Sequence, residues 1–193
     1  MDTKFFIKTY FKMLNKAAQK IEIDSIGEVI KILEKKFNLK KTIFIAGNGG
    51  SAATASHMVC DLNKTVLGKT PKQERKRFRV ICLNDNIPLL TAIGNDLSYE
   101  LVFSEPLRNY GRKGDLLLVI TGSGNSKNVI EAVRVAKILR MDTVAFLGFD
   151  GGKVRNLVDK FILVPFYDYG VVEDLHMVLV HLITFYFKER LSK

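Results

Sequence analysis

Beyond Asn38, five short apolar runs punctuate the chain: KTIFIAG (41–47), RVICL (79–83), DLLLVIT (115–121), TVAFLGF (143–149) and KFILVPF (160–166). Their apolar residues are continuous rather than strictly alternating, the pattern of strands covered on both faces. Between the runs, apolar positions fall at helical spacing. SAATASHMVCDL follows the first run, and one or two helices are predicted between Pro88 and Tyr110. Next come SKNVIEAVRVAKILR, with a buried stripe of Val129, Ile130, Val133 and Ala136, and the short GGKVRNLVD. The long VVEDLHMVLVHLITFYFKERL closes the chain and is expected to be largely buried.

Two helices are predicted ahead of the first strand. In one, Phe5, Phe6, Tyr10, Met13, Leu14 and Ala17 form the packing side; in the other, Ser25 and Glu28 have the spacing of a capping box before Ile26, Val29, Ile30, Leu33 and Phe37. Alternation of strand and helix implies a single α/β domain over residues 1–193, with a five-stranded, mostly parallel sheet flanked by helices on both faces. Residues 1–38 form its N-terminal helical region, and the basic stretch 64–78 is the candidate mobile loop.

Composition narrows the class. A chain of 193 residues that is 47% hydrophobic and 26% charged fits one globular domain with a substantial core. No uninterrupted apolar run approaches the roughly 18 residues of a membrane span, and the N-terminal stretch lacks the pattern of a signal peptide. No membrane role is therefore expected. Cys60 and Cys82 give no disulfide framework; two buried thiols in a reducing cytoplasm are the expectation. The formal net charge of +10 raises nucleic acid as a partner, and its densest patch, residues 69–79, sets six basic residues against Glu74. No zinc finger, aromatic-interleaved strand or clear recognition helix accompanies it. The charge therefore reads as a solvated surface that also attracts anionic substrates, and nucleic acid is not the expected partner.

In such sheets ligands gather where strands exit at their carboxyl ends. Two exits stand out here: AGNGGS (46–51) and TGSGNS (121–126), each placing glycine and small hydroxyl residues just before a helix. Neither is a GxGxxG or GxxxxGK[ST] fingerprint, so no nucleotide cofactor is expected. Unpaired N–H groups at a helix start favour an anion, and Thr121, Ser123, Asn125 and Ser126 can donate to phosphate oxygens. Together the loops suit a phosphate monoester on a small metabolite. The plainer alternative is that Ser126 caps its helix and the glycines only make the turns.

The three histidines fall in predicted helices beside carboxylates. His57 and Asp61, four apart, share a helix face; Glu173 and His181, eight apart, nearly share another, with His176 three after Glu173. Were the two helices to meet, His57, Asp61, Glu173 and His181 would suit a divalent ion such as zinc, or proton shuttling beside a carbonyl.

The segments AGNGGSAATASHMVCDL, TAIGNDLSYELVF, GRKGDLLLVITGSGNSKNVIEAVRVAK, LGFDGGKV and EDLHMVLVHLI, in that order, resemble the SIS (sugar isomerase) domain family in its phosphoheptose isomerase branch. The resemblance implies a homotetramer with sites at subunit interfaces, isomerising sedoheptulose 7-phosphate to D-glycero-D-manno-heptose 7-phosphate. It implies a first substrate wall from Asn48, Gly49, Gly50 and Ser51, contacts from Asn95 and Asp96, and a phosphate loop of Thr121, Gly122, Ser123, Asn125 and Ser126. It places His57, Asp61, Glu173 and His181 at a divalent metal, with zinc the expected ion, a carboxylate, Asp61 or Glu173, as base and His181 as acid. The chain departs from the family at Asp61 (glutamate), Glu173 (glutamine), Gly122 (threonine), Gly170 (aspartate) and Thr65 (arginine). These departures leave two alternatives in view: an isomerase for another surface-polysaccharide phosphosugar, and a non-catalytic family member that binds a replication initiator.

Overall fold

A computed structural model describes residues 2–68 and 76–192, for Ser192 the backbone only. Two helices, α1 (Thr3–Ala18) and α2 (Ile23–Asn38), precede β1 (Thr42–Gly47) and α3 (Gly50–Asn63). The chain continues through β2 (Arg79–Cys82), α4 (Ile87–Asp96), α5 (Ser104–Tyr110), β3 (Leu116–Thr121) and α6 (Lys127–Ile138). It closes with β4 (Asp142–Gly148), β5 (Lys160–Val164) and α7 (Tyr169–Ser192). The sheet is wholly parallel, in the order β2-β1-β3-β4-β5.

β1, β3, β4 and β5 feed both layers of the core, whereas the edge strand β2 feeds one through Val80 and Cys82 and leaves Arg79 and Ile81 exposed. Ile43, Ile45, Leu116, Leu118 and Ile120 face a cluster built with α2, α3 and α7, whereas Phe44, Ala46, Leu117 and Val119 face one built with α4, α5 and α6. Side chains still alternate, with period two, but both faces are dry. The apolar runs are therefore continuous, most completely in β3, where all six residues are buried.

Local details depart from expectation. Ser25 and Glu28 form no capping box: α2 begins two residues earlier, Ser25 Oγ donates to the Glu22 carbonyl (2.7 Å), and Glu28 pairs with Lys160. Residues 154–156 make only a 3₁₀ turn. On α1, Ala17 is buried and Tyr10, Met13 and Leu14 are partly buried, but Phe5 and Phe6 stay exposed because the helix packs chiefly on α7. Cys60 is exposed, unlike Cys82, since it falls on the outer side of α3 between the inward Val59 and the buried Asp61. Of the basic stretch, residues 65–67 form a 3₁₀ turn and 69–75 lie outside the described residues. α7 has the length and hydropathy of a membrane span, yet half of that stretch is buried, against α3 and the sheet among other elements. Those contacts are the packing of a core helix.

Candidate active site

The chain runs from β1 outward to β2 on one side and then crosses to β3 on the other, so the direction of winding reverses between β1 and β3. At such a switch point the loops leaving the two strands diverge and open a crevice. A cleft of about 240 Å³ lies there, lined by Asn48, Gly49, Gly50 and Ser51 from the first loop and Thr121, Gly122, Ser123 and Ser126 from the second. Ile120, Tyr169 and Glu173 complete the wall.

Its polar groups are held in place. Asn48 and Asn128 exchange two side-chain hydrogen bonds (2.8 and 2.9 Å), and the Tyr99 hydroxyl donates to Asn48 Oδ1 (3.1 Å). Thr121 Oγ1 accepts from the Gly124 N–H (3.2 Å), and Ser123 Oγ from the Asn125 N–H (3.3 Å), which folds the second loop over the start of α6. Ser126 occupies the N-cap position of α6, but its side chain makes no capping bond. Its hydroxyl is available to a ligand. Asn125 serves as a strut, donating to the Ser123 carbonyl and accepting from the Lys153 N–H (3.0 and 3.1 Å), and it does not line the cleft.

Two helix starts meet at the cleft, and they are not equivalent. The Glu173 carboxylate lies directly over Gly50, where a Cβ would collide with it. A carboxylate already complements the positive end of α3. The start of α6, with no side-chain cap, keeps its N–H groups open to an anion.

α3 and α7 run side by side in the same direction, with Gly50 meeting Glu173 and His57 meeting His181. His57 Nε2 is 3.0 Å from His181 Nε2 and 3.5 Å from Asp61 Oδ2. One donor atom from each of the three residues lies within 4.8 Å of the other two. Two imidazoles and a carboxylate so arranged fit a zinc-like divalent ion. Glu173 lies eight residues before His181, about 12 Å along the helix axis, and belongs to the cleft rather than to this trio. Asn95 and Asp96 sit at the end of α4, where Asn95 Nδ2 donates to Asp96 Oδ1 (2.8 Å), outside the cleft lining. His176 is fully buried against Phe146 on β4, away from the other two histidines.

Two contributors have no signal in the local sequence. Tyr169 is the first residue of α7, and Asn128 is one more polar residue in a helical stretch; only the fold brings the first to the cleft and the second to Asn48 on its wall.

Fold and cleft define a parallel α/β protein with a polar cleft at the switch point between two glycine- and hydroxyl-rich strand exits. Comparison with known proteins gives the family. The sequence profile of the SIS domain matches residues 6–148. The phosphoheptose isomerase of Clostridium acetobutylicum is 34% identical over 185 residues, covering 93% of this chain and 92% of the relative. That of Helicobacter pylori is 37% identical over 175 residues, 89% and 88% of the two chains. Among solved structures, phosphoheptose isomerases from Neisseria gonorrhoeae (TM-score 0.87, 30% identity, 96% and 98% coverage) and Francisella tularensis (0.88, 26%, 98% and 100%) superpose over nearly the whole chain. The chain belongs to the SIS domain family, in its phosphoheptose isomerase branch.

Proposed function

We propose that the protein is an aldose–ketose isomerase that converts sedoheptulose 7-phosphate to D-glycero-D-manno-heptose 7-phosphate. The observation that carries this reading is the position of Glu173 within the same cleft as the free Ser126 hydroxyl and the start of α6. In an open-chain ketose 7-phosphate the carbonyl stands at the opposite end from the phosphate. Binding the phosphate at residues 121–126 therefore runs the carbon chain along α7, past Glu173 and toward His181. The Glu173 carboxylate takes the proton from the carbon beside the carbonyl and returns it to the neighbouring carbon. His181, with His57 and Asp61 at its side, exchanges a proton with the oxygens. A divalent ion held by His57, Asp61 and His181 would supply polarisation of the sugar oxygens. The two free thiols suit a reducing, cytoplasmic setting.

Incubating the protein with sedoheptulose 7-phosphate in deuterated water is expected to yield the aldose and to place deuterium on carbon, more slowly after a chelator and restored by zinc. Absence of both product and deuterium with zinc present would overturn the enzymatic reading.

We further infer a homo-oligomer, a tetramer as in the family. Phe5, Phe6 and Phe11 of α1 and Val178, Leu182 and Phe185 of α7 are exposed, and an apolar groove lies between the two helices. An exposed apolar groove, here with Phe11 and Val178 in its lining, supports an association face. Sedimentation equilibrium is expected to return a multiple of the 21.8 kDa chain mass; a monomer at micromolar concentration would refute the assembly.

A further inference from the structure

The α7 side of the cleft is aromatic. Tyr169 lines it and is 56% exposed, and its ring meets Phe149 edge-on, with centroids 4.8 Å apart at 69°. Phe149 in turn stacks on Tyr167, which is 76% exposed, at 5.3 Å and 10°. Phe149 has a φ of 56°, a left-handed conformation seldom seen in bulky residues. Strain of that kind collects at ligand sites. Here it accompanies a ring set between two exposed tyrosines at the mouth of a polar cleft.

Tyr169 also rests on the phosphate loop itself. A Cβ at Gly122 would stand 3.0 Å from both Cδ1 and Cε1 of the Tyr169 ring, tight enough that any side chain at 122 presses on the ring. Tyr169 and Glu173 are one helical turn apart, and both face the cleft. Between the phosphate loop and the carboxylate, the ligand's path crosses the tyrosine ring.

We propose that Tyr169 is a specificity-determining contact: its aromatic face takes the C–H surface of the sugar's carbon chain, in space that a side chain at 122 would otherwise fill. This rests on the phosphosugar reading of the cleft. An open-chain polyol phosphate offers hydroxyls and C–H edges in alternation. The hydroxyls need hydrogen-bonding partners, which Asn48, Ser51 and Ser123 offer. The C–H edges gain by leaving water for an apolar surface, and among the cleft-lining residues Tyr169 presents the one aromatic ring. Phe149 and Tyr167 back the ring and fix its angle. The phosphate draws nothing from Tyr169.

That division of labour sets the test. The full chain is titrated calorimetrically with the alditol 7-phosphate of sedoheptulose, which has no carbonyl and cannot turn over, and separately with inorganic phosphate. Tyr169→Ala is expected to weaken the alditol phosphate about tenfold or more, with inorganic phosphate changed less than twofold. Tyr169→Phe keeps wild-type affinity for both. Gly122→Thr, which displaces the ring, weakens the alditol phosphate as Tyr169→Ala does, and combining the two substitutions adds little, the non-additivity of residues that share a space. The proposal is overturned if Tyr169→Ala binds the alditol phosphate like wild type, if it loses both ligands in parallel, or if Tyr169→Phe fails as badly as Tyr169→Ala. A wild-type protein that binds neither ligand would sink the phosphosugar reading, and the proposal with it; the other outcomes spare that reading.

Discussion

Glu173→Gln is expected to lower turnover of sedoheptulose 7-phosphate by about 10²–10⁴, the usual contribution of a positioned general base. Of the two candidate carboxylates, Glu173 lines the cleft, whereas Asp61 is 7% exposed and set beside His57. Geometry governs proton transfer from carbon, and about an ångström of misplacement can cost on the order of a hundredfold. The substitution keeps the side chain's length and its hydrogen-bonding capacity while removing the basic oxygen. Affinity for the non-reacting alditol phosphate should therefore persist while deuterium incorporation stops. Asp61→Asn is expected to act differently, weakening zinc binding and responding to added zinc. Full activity in Glu173→Gln, with activity lost in Asp61→Asn even under saturating zinc, would move the base to Asp61.

Much of this arrangement was legible in the sequence. Short apolar runs marked all five strands, continuous because both faces of the inner sheet are dry although the edge strand β2 exposes one face, and the two glycine–hydroxyl exits marked the cleft. The i,i+4 spacing of His57 and Asp61 anticipated two of the three members of the His–Asp–His group. Helical spacing could not tell how α3 and α7 align. Parallel packing brings His57 to His181 yet carries Glu173 two turns away to Gly50, so one anticipated cluster became two stations along a helix pair. Asn125 looked like a phosphate donor because residue type says nothing about whether an amide is already spent within its loop. Cap choice at α2 was decided by how the helix docks and not by the Ser25–Glu28 spacing. Tyr169 was silent for a similar reason: the space its ring occupies beside the second loop is left open by a residue 47 positions earlier, Gly122.

Acidification from pH 7 to about pH 4 should cost this protein on the order of 3 kcal/mol of folding stability through His176 alone. The imidazole is fully buried against Phe146, and neither ring nitrogen has a well-formed hydrogen bond. Burial holds its pKa down at about 4 against an ordinary 6.5, with the Leu147 backbone opposing only weakly. Between these values the unfolded chain carries a proton on His176 that the folded chain does not. Unfolding there takes up protons, so stability is full above pH 6.5 and falls as the pH descends toward 4. Against a typical total of about 5–15 kcal/mol for a domain, this is a large share. Urea titrations at pH 7 and pH 4.5 are expected to show that His176→Leu, which keeps the core apolar and removes the titration, loses distinctly less stability on acidification than wild type. His57 and His181 are unchanged between the two proteins, so the difference between them isolates His176. Equal acid losses in wild type and His176→Leu would mean that the imidazole charges without leaving the fold, through a route for water or a partner to reach its ring beneath β4.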